Sequence, residues 1–218
     1  MQADDQKSGS NRQDPDMESP VNKLPDRDPE TNIDTGPDSI SAEPADTAKP
    51  LLYTIGHSNY PVEQFLALLA AFKIELLVDI RRFAGSRKWP QYGQEQLRVH
   101  LKKAGIHYLH MESLGGRRKL NKASRNTNWR HPSFRAYADY METPAFEEAV
   151  QALEVLARKQ TTAIMCSEVL WWRCHRALVS DYLKARGWTV YHIMGPHTIT
   201  LHPYTSVAKI INGQLRYR

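Results

Sequence analysis

Five short apolar runs, rich in β-branched and aromatic residues, recur along the chain with helical patterns between them. This alternation limits the fold more than any other feature. The runs are Leu51–Ile55, Leu76–Ile80, Ile106–His110, Thr161–Met165 and Thr189–Ile193. After the first, Val62, Phe65, Leu66, Leu68, Leu69 and Phe72 supply one helical face, and Pro61 suits the first helical position. Gln94–Ala104 predicts an amphipathic helix closed by Gly105. Pro132 and Thr143-Pro144 open two more, and Arg173–Arg186 reads as a helix closed by Gly187. The pattern predicts an α/β fold, a mainly parallel sheet of about five strands flanked by helices in three layers. His197–His202 follows, and Asn212-Gly213 signals a C-terminal β-hairpin with a type I′ turn.

Charge divides the chain in two. Residues 1–50 hold 12 Asp and Glu against 5 Lys and Arg, with 7 prolines; residues 51–218 hold 24 Lys and Arg against 12 Asp and Glu. The formal +5 of the whole chain therefore conceals a net −7 beside a net +12. The first stretch is expected to be a disordered acidic tail, because it has too little apolar surface to offset its ordering entropy. The second suits a single α/β domain with a full core. So basic a unit expects an anionic ligand, with nucleic acid among the candidates, and the tail is expected to compete for the same surface. No apolar stretch reaches bilayer length and the N-terminus has no apolar signal core, so no membrane partner is expected. Two cysteines separated by seven intervening residues do not suggest a disulfide framework, which favours a reducing, cytoplasmic setting. The sequence is silent on oligomeric state.

Right-handed crossovers would place all the strand C-termini on one edge, where ligands bind in open α/β sheets. Polar residues concentrate there: Gly56-His57-Ser58, Asp79 and Arg81, His110, Glu112 and Gly115-Gly116, Cys166 and Glu168, and His192. The segment Cys166–Arg176 holds both cysteines, a carboxylate, an imidazole and two guanidinium groups, a composition with no packing rationale. Cys166 is the nucleophile candidate, with Arg173, His175 and Arg176 in reach to lower its pKa. His57 is a candidate general acid or base, oriented by Asp79 if that carboxylate does not pair with Arg81. Glu168 is a candidate base, although an ionised carboxylate near the thiol would raise the pKa of Cys166. Ser58, Arg81, Arg87, Gly115, Gly116, Arg117, Arg118, Arg173, His175 and Arg176 are the candidate ligand contacts.

Two basic stretches carry aromatic residues: Arg81, Arg82, Arg87 and Lys88 beside Trp89 and Tyr92, and Arg117 to Arg130 beside Trp129. Cations interleaved with rings suit phosphates plus stacked bases. Recognition of a phosphate-bearing or nucleic-acid ligand, coupled to catalysis or not, is therefore the leading expectation. A cysteine-dependent enzyme and a plain interaction module are the alternatives. A tyrosine-phosphatase loop needs Arg at the sixth position after its Cys; here that position is Trp172 and the loop lacks glycine. A metal site built from Cys166, Glu168, Cys174 and His175, with His57 or His192, lacks the closely spaced cysteine pair of zinc motifs. No metal and no cofactor is assigned.

Thr54-Ile55-Gly56-His57-Ser58, Val78-Asp79-Ile80-Arg81 with Ser86-Arg87, Leu114-Gly115-Gly116, and Cys166-x-Glu168 with Cys174-His175-Arg176 resemble the ordered motifs of the domain-of-unknown-function 488 family. The resemblance spans roughly Leu51 to Met194. It implies an α/β domain with a polar site at these motifs and carries no settled activity. Val78–Arg81 is also similar to the early Asp-x-Arg strand of rhodanese-like sulfurtransferases, which would imply sulfur transfer.

Overall fold

The computed structural model describes residues 49–218, so all but the last two residues of the expected acidic tail lie outside the described residues. The strands are β1 (Leu51–Gly56), β2 (Leu76–Asp79), β3 (His107–His110), β4 (Thr162–Cys166), β5 (Thr189–Gly195), β6 (Thr198–Leu201), β7 (Lys209–Ile211) and β8 (Gln214–Arg216). The helices are α1 (Val62–Ala71), α2 (Gln94–Lys103), α3 (Pro132–Met141), α4 (Pro144–Ala157) and α5 (Arg176–Ala185). Local chemistry explains most boundaries. Thr143 caps α4 through its hydroxyl, Gly105 and Gly187 take left-handed φ values of 72° and 87° just after α2 and α5, and Asn212 and Gly213 both have positive φ in the β7–β8 turn.

The main sheet has six strands in the order β3-β2-β4-β1-β5-β6. The first five are parallel, as expected of a mainly parallel sheet of about five strands, and β6 adds a sixth, antiparallel to β5 at the edge. Burial on both faces accounts for the continuous apolar runs of the central strands β2 and β4, whereas the edge strand β3 is half-exposed. In β2, Leu76 and Val78 face the α3, α4 and α5 side while Leu77 faces α1 and α2; in β4, Ile164 and its neighbours Ala163 and Met165 divide the same way. The helices therefore form two outer layers around the sheet.

This strand order sets the location of the crevice. The chain steps outward from β1 past the β4 position to β2 and β3, then returns to β4 and β5. Helices α1 and α2 of the outward run cover one face, and α3 to α5 of the return run cover the other. Crossovers of one hand running in opposite directions must lie on opposite faces, and a gap opens where they part. That gap is at the C-terminal end of β4, between β1 and β2. The pairing continues past the strands there: His57 N–H donates to Cys166 O (3.0 Å), Ser58 N–H to Ser167 O (2.9 Å) and Ile80 N–H to Met165 O (3.0 Å).

Candidate functional site

A cleft of about 1690 Å³ opens at this point, formed by the loops after β1, β2, β3 and β4 and by the start of α3. His57 and Ser58 enter it from β1, Arg81 and Arg87 from β2, and Gly116 and Arg117 from the loop after β3. Cys166, Glu168, Arg173 and His175 enter from the β4–α5 connection. Residues 57 and 166, 109 positions apart in the chain, are hydrogen-bonded neighbours. Asp79, Gly115, Arg118 and Arg176 were expected among them but do not line the cleft.

Those four residues hold the walls. Asp79 is fully buried and grips Arg81: its Oδ1 accepts from the Arg81 backbone N–H (3.0 Å) and Nε–H (2.9 Å), and its Oδ2 from an Nη–H (2.5 Å) and from the Tyr108 hydroxyl (2.8 Å). Gly115 passes so close to the Arg82 backbone that a Cβ would lie 2.6 Å from Arg82 Cα. Arg118 donates to the carbonyls of Gly115 (2.9 Å) and Ser113 (2.7 Å) and stacks 3.5 Å over the Tyr140 ring. Arg176, 1% exposed, donates to Thr54 Oγ1 (3.1 Å) and to the carbonyls of Glu168 and Val169. Beneath that turn, Gly56 admits the incoming backbone, since a Cβ there would sit 1.9 Å from Glu168 O.

His57 is buried and stacked on Tyr92, with ring centroids 4.0 Å apart. Its Nδ1–H donates to Ser58 O (2.8 Å), leaving Nε2 to accept from an Arg81 Nη–H at 3.4 Å. Burial outweighs the Ser58 hydrogen bond and lowers its pKa to about 4, so the ring is neutral at pH 7. Asp79 thus reaches His57 only through Arg81.

The cleft floor holds a thiol–imidazole cluster. Cys174 Sγ is 3.6 Å and Cys166 Sγ 4.0 Å from His175 Nδ1, while His175 Nε2–H donates to Ile80 O at 3.0 Å. The two thiols are not equivalent. The hydrogen bond Cys166 gives to Cys174, together with burial, pushes the Cys166 thiol up to about 12. Burial also raises Cys174, but the Cys166 S–H, the Arg176 guanidinium and the Arg176 backbone N–H at 3.5 Å outweigh it and bring the thiol down to about 6. These surroundings favour Cys174, two residues before α5, over Cys166 as the more acidic thiol.

His192 is elsewhere. Because β5 runs on to Gly195, residue 192 lies within the sheet and not at its end. It belongs to a sealed polar chain on the far side of Arg176. Arg176 donates to Thr54, Thr54 Oγ1–H to His192 Nδ1 (2.7 Å), His192 Nε2–H to His202 Nδ1 (2.9 Å) and His202 Nε2–H to Asp181 (3.0 Å). Asp181 also accepts from Thr205 N–H (2.9 Å), Thr205 Oγ1–H (2.6 Å) and the Tyr217 hydroxyl (2.9 Å). Burial lowers the pKa of both histidines, most strongly His192.

Sequence reasoning missed the contribution of α3, whose start brings His131, Ser133 and Phe134 to the cleft. Pro132 marked a helix start but nothing local fixes which way it faces. Phe83, 65% exposed beside Arg117, was also passed over.

Fold and site together define an α/β domain with a cysteine–histidine cluster at the C-terminal edge of a mainly parallel sheet. The chain belongs to the family described as Domain of unknown function DUF488, whose family model matches residues 61–183, more than half of its length. The match takes in Asp79, Arg81, both cysteines, His175 and Arg176, and stops short of His57 and of β5 to β8. No curated protein and no solved structure matches the chain. Among the described residues, no helix is long and apolar enough to cross a membrane.

Proposed function

We propose that the cleft binds a single-stranded nucleic acid, its phosphates on the rim cations and its bases against the rim rings. One observation carries this reading. Six Arg or Lys side chains line the cleft (Arg81, Arg82, Arg87, Lys88, Arg117 and Arg173) against the single carboxylate Glu168. Asp79 neutralises Arg81 and Glu112 pairs with Arg82 at 3.1 Å. Arg87, Lys88, Arg117 and Arg173 are all exposed and form no ion pair among the described residues. Four uncompensated cations in one concave surface attract polyanions more than their number on a flat face would.

The rings favour a single strand over a duplex. Phe83, Trp89, Phe134 and Trp172 line the same cleft, and a duplex has no free base faces to offer them. Base stacking on such rings contributes about 1–3 kcal/mol per base. The alternative of a nucleophilic Cys166 fits less well, because its hydrogen bond to Cys174 and its burial raise that thiol's pKa.

The test is fluorescence anisotropy of a labelled single-stranded oligonucleotide titrated with the full chain across a salt series. Four phosphate contacts predict a log–log salt slope of about −3, and weaker binding to a duplex of the same sequence. No binding at low ionic strength, or affinity indifferent to salt, would sink the proposal.

A further inference from the structure

The three atoms that meet at the cleft floor have the chemistry and spacing of metal ligands. Cys166 Sγ, Cys174 Sγ and His175 Nδ1 all lie within 4.8 Å of one another. Around a tetrahedral zinc, bonds of about 2.3 Å to sulfur and 2.0–2.1 Å to nitrogen require S···S near about 3.8 Å and S···N near about 3.6 Å. Cys174 to His175 is already 3.6 Å, Cys166 to His175 is 4.0 Å, and the two sulfurs lie within 4.8 Å of each other, so a shift of about 1 Å or less closes the site. We propose that Cys166, Cys174 and His175 form a zinc site with its fourth coordination position open to the cleft.

Four further features prepare the site. The Ile80 carbonyl can only accept, so the hydrogen bond at His175 Nε2 keeps the proton there and turns the bare Nδ1 toward both sulfurs. Histidines that bind metals are oriented in this way, through their other ring nitrogen. The Arg176 backbone N–H points at Cys174 Sγ from 3.5 Å and stabilises it as a thiolate, the form a metal needs. Gly116 covers the imidazole without crowding it: a Cβ there would sit 3.1 Å from Nδ1, the ligating atom itself. All three residues line the cleft, so a water or a ligand group has access to the remaining position. Three protein ligands with one open position are the arrangement of catalytic rather than purely structural zinc. Two thiolates and an imidazole also favour zinc over magnesium or calcium, which take oxygen.

The motif spacing conceals the site because the usual close cysteine pair is absent. Here seven residues separate the thiols, and the short 3₁₀ turn Trp171–Arg173 folds Cys174 back beside Cys166, with the histidine supplied by the next residue. The inference is independent of what occupies the cleft, and its test involves no nucleic acid.

The full chain, freed of any affinity tag and of metal, would be titrated under reductant with zinc and, separately, with cobalt. The expected result is one tightly bound ion per chain, with cobalt giving thiolate-to-metal charge transfer and the intense visible bands of tetrahedral coordination. Saturating zinc should also protect both cysteines from alkylation. Cys166→Ser, Cys174→Ser and His175→Ala, each checked for fold by circular dichroism, should each weaken binding by at least about 100-fold, more than loss of an orienting group does. Failure of the reduced protein to take up either ion overturns the proposal. So does uptake that the two serine variants leave unchanged, or zinc binding with both thiols still freely alkylated.

Discussion

Two buried polar clusters lie on either side of Arg176, and they differ in one respect that separates structure from site. Each combines histidine with oppositely charged or hydrogen-bonding partners; the first joins elements distant in sequence, while the second draws its three side chains from Cys166 to His175. The chain from Thr54 through His192 and His202 to Asp181 is closed: all four residues are fully buried, and Thr205 and Tyr217 fill the remaining acceptor sites of the carboxylate. The cluster of Cys166, Cys174 and His175 has its groups turned toward one another at the floor of a cleft. A buried histidine is therefore no marker of function by itself. What distinguishes the second cluster is an opening lined with four exposed cations, Arg87, Lys88, Arg117 and Arg173, that form no ion pair among the described residues. Arg176 joins the two, donating to Thr54 on one side and holding the Glu168–Val169 turn on the other.

The comparison breaks most readily at Asp181. Asp181→Ala leaves His202, Thr205 and Tyr217 without their acceptor in a sealed interior, a loss of about 3–5 kcal/mol. Urea unfolding should show a midpoint far below that of the unmodified chain, and a change under about 1 kcal/mol would mean that the chain of hydrogen bonds contributes little.

Acid should act next. The folded His57 pKa lies near 4, below its ordinary value of about 6.5. Between those values the unfolded chain takes up a proton that folded His57 refuses, so its contribution is complete above about pH 6.5 and is lost as pH falls toward 4. The size is on the order of 3 kcal/mol, with His192 and His202 shifted in the same direction. Denaturant midpoints measured from pH 7.5 down to pH 4.5 should fall steadily. His57→Phe keeps the stack on Tyr92, removes the titration and should flatten that decline. An unaltered pH profile in this variant would assign the acid sensitivity elsewhere.

The smallest effect on stability belongs to the cleft rim. Arg173→Ala should move unfolding by less than about 0.5 kcal/mol, as expected for an exposed side chain with no ion pair among the described residues. The same change should lower the salt slope of oligonucleotide binding by about one. A variant that unfolds more easily but keeps its slope would place Arg173 with the structural cations Arg118 and Arg176.

The division between wall and site is also where sequence reading stops. Strands β2 and β4 were legible because parallel strands buried on both faces read as unbroken apolar runs, and the helix ends were legible through Thr143, Gly105 and Gly187. Strand β6 was not, since Thr198–Leu201 gains its ladder only from β5 beside it. The cleft edge could be inferred from topology, and His57, Arg81, Cys166 and His175 do meet there. The allotment of guanidinium groups could not. Arg118 and Arg176 resemble Arg117 and Arg173 in sequence, and only the fold turns the first pair onto carbonyl oxygens and leaves the second pair exposed. The nearness of Cys174 to Cys166 depends on a single 3₁₀ turn, which no spacing rule anticipates.

Locating a bound strand tests the central claim most directly. A single-stranded oligonucleotide carrying 5-bromouracil, photo-crosslinked to the full chain at low salt, should attach at Phe83, Trp89, Phe134 or Trp172 when the adducts are mapped by mass spectrometry. Attachment confined to the β7–β8 hairpin or to the exposed faces of α2 and α4 would contradict the account.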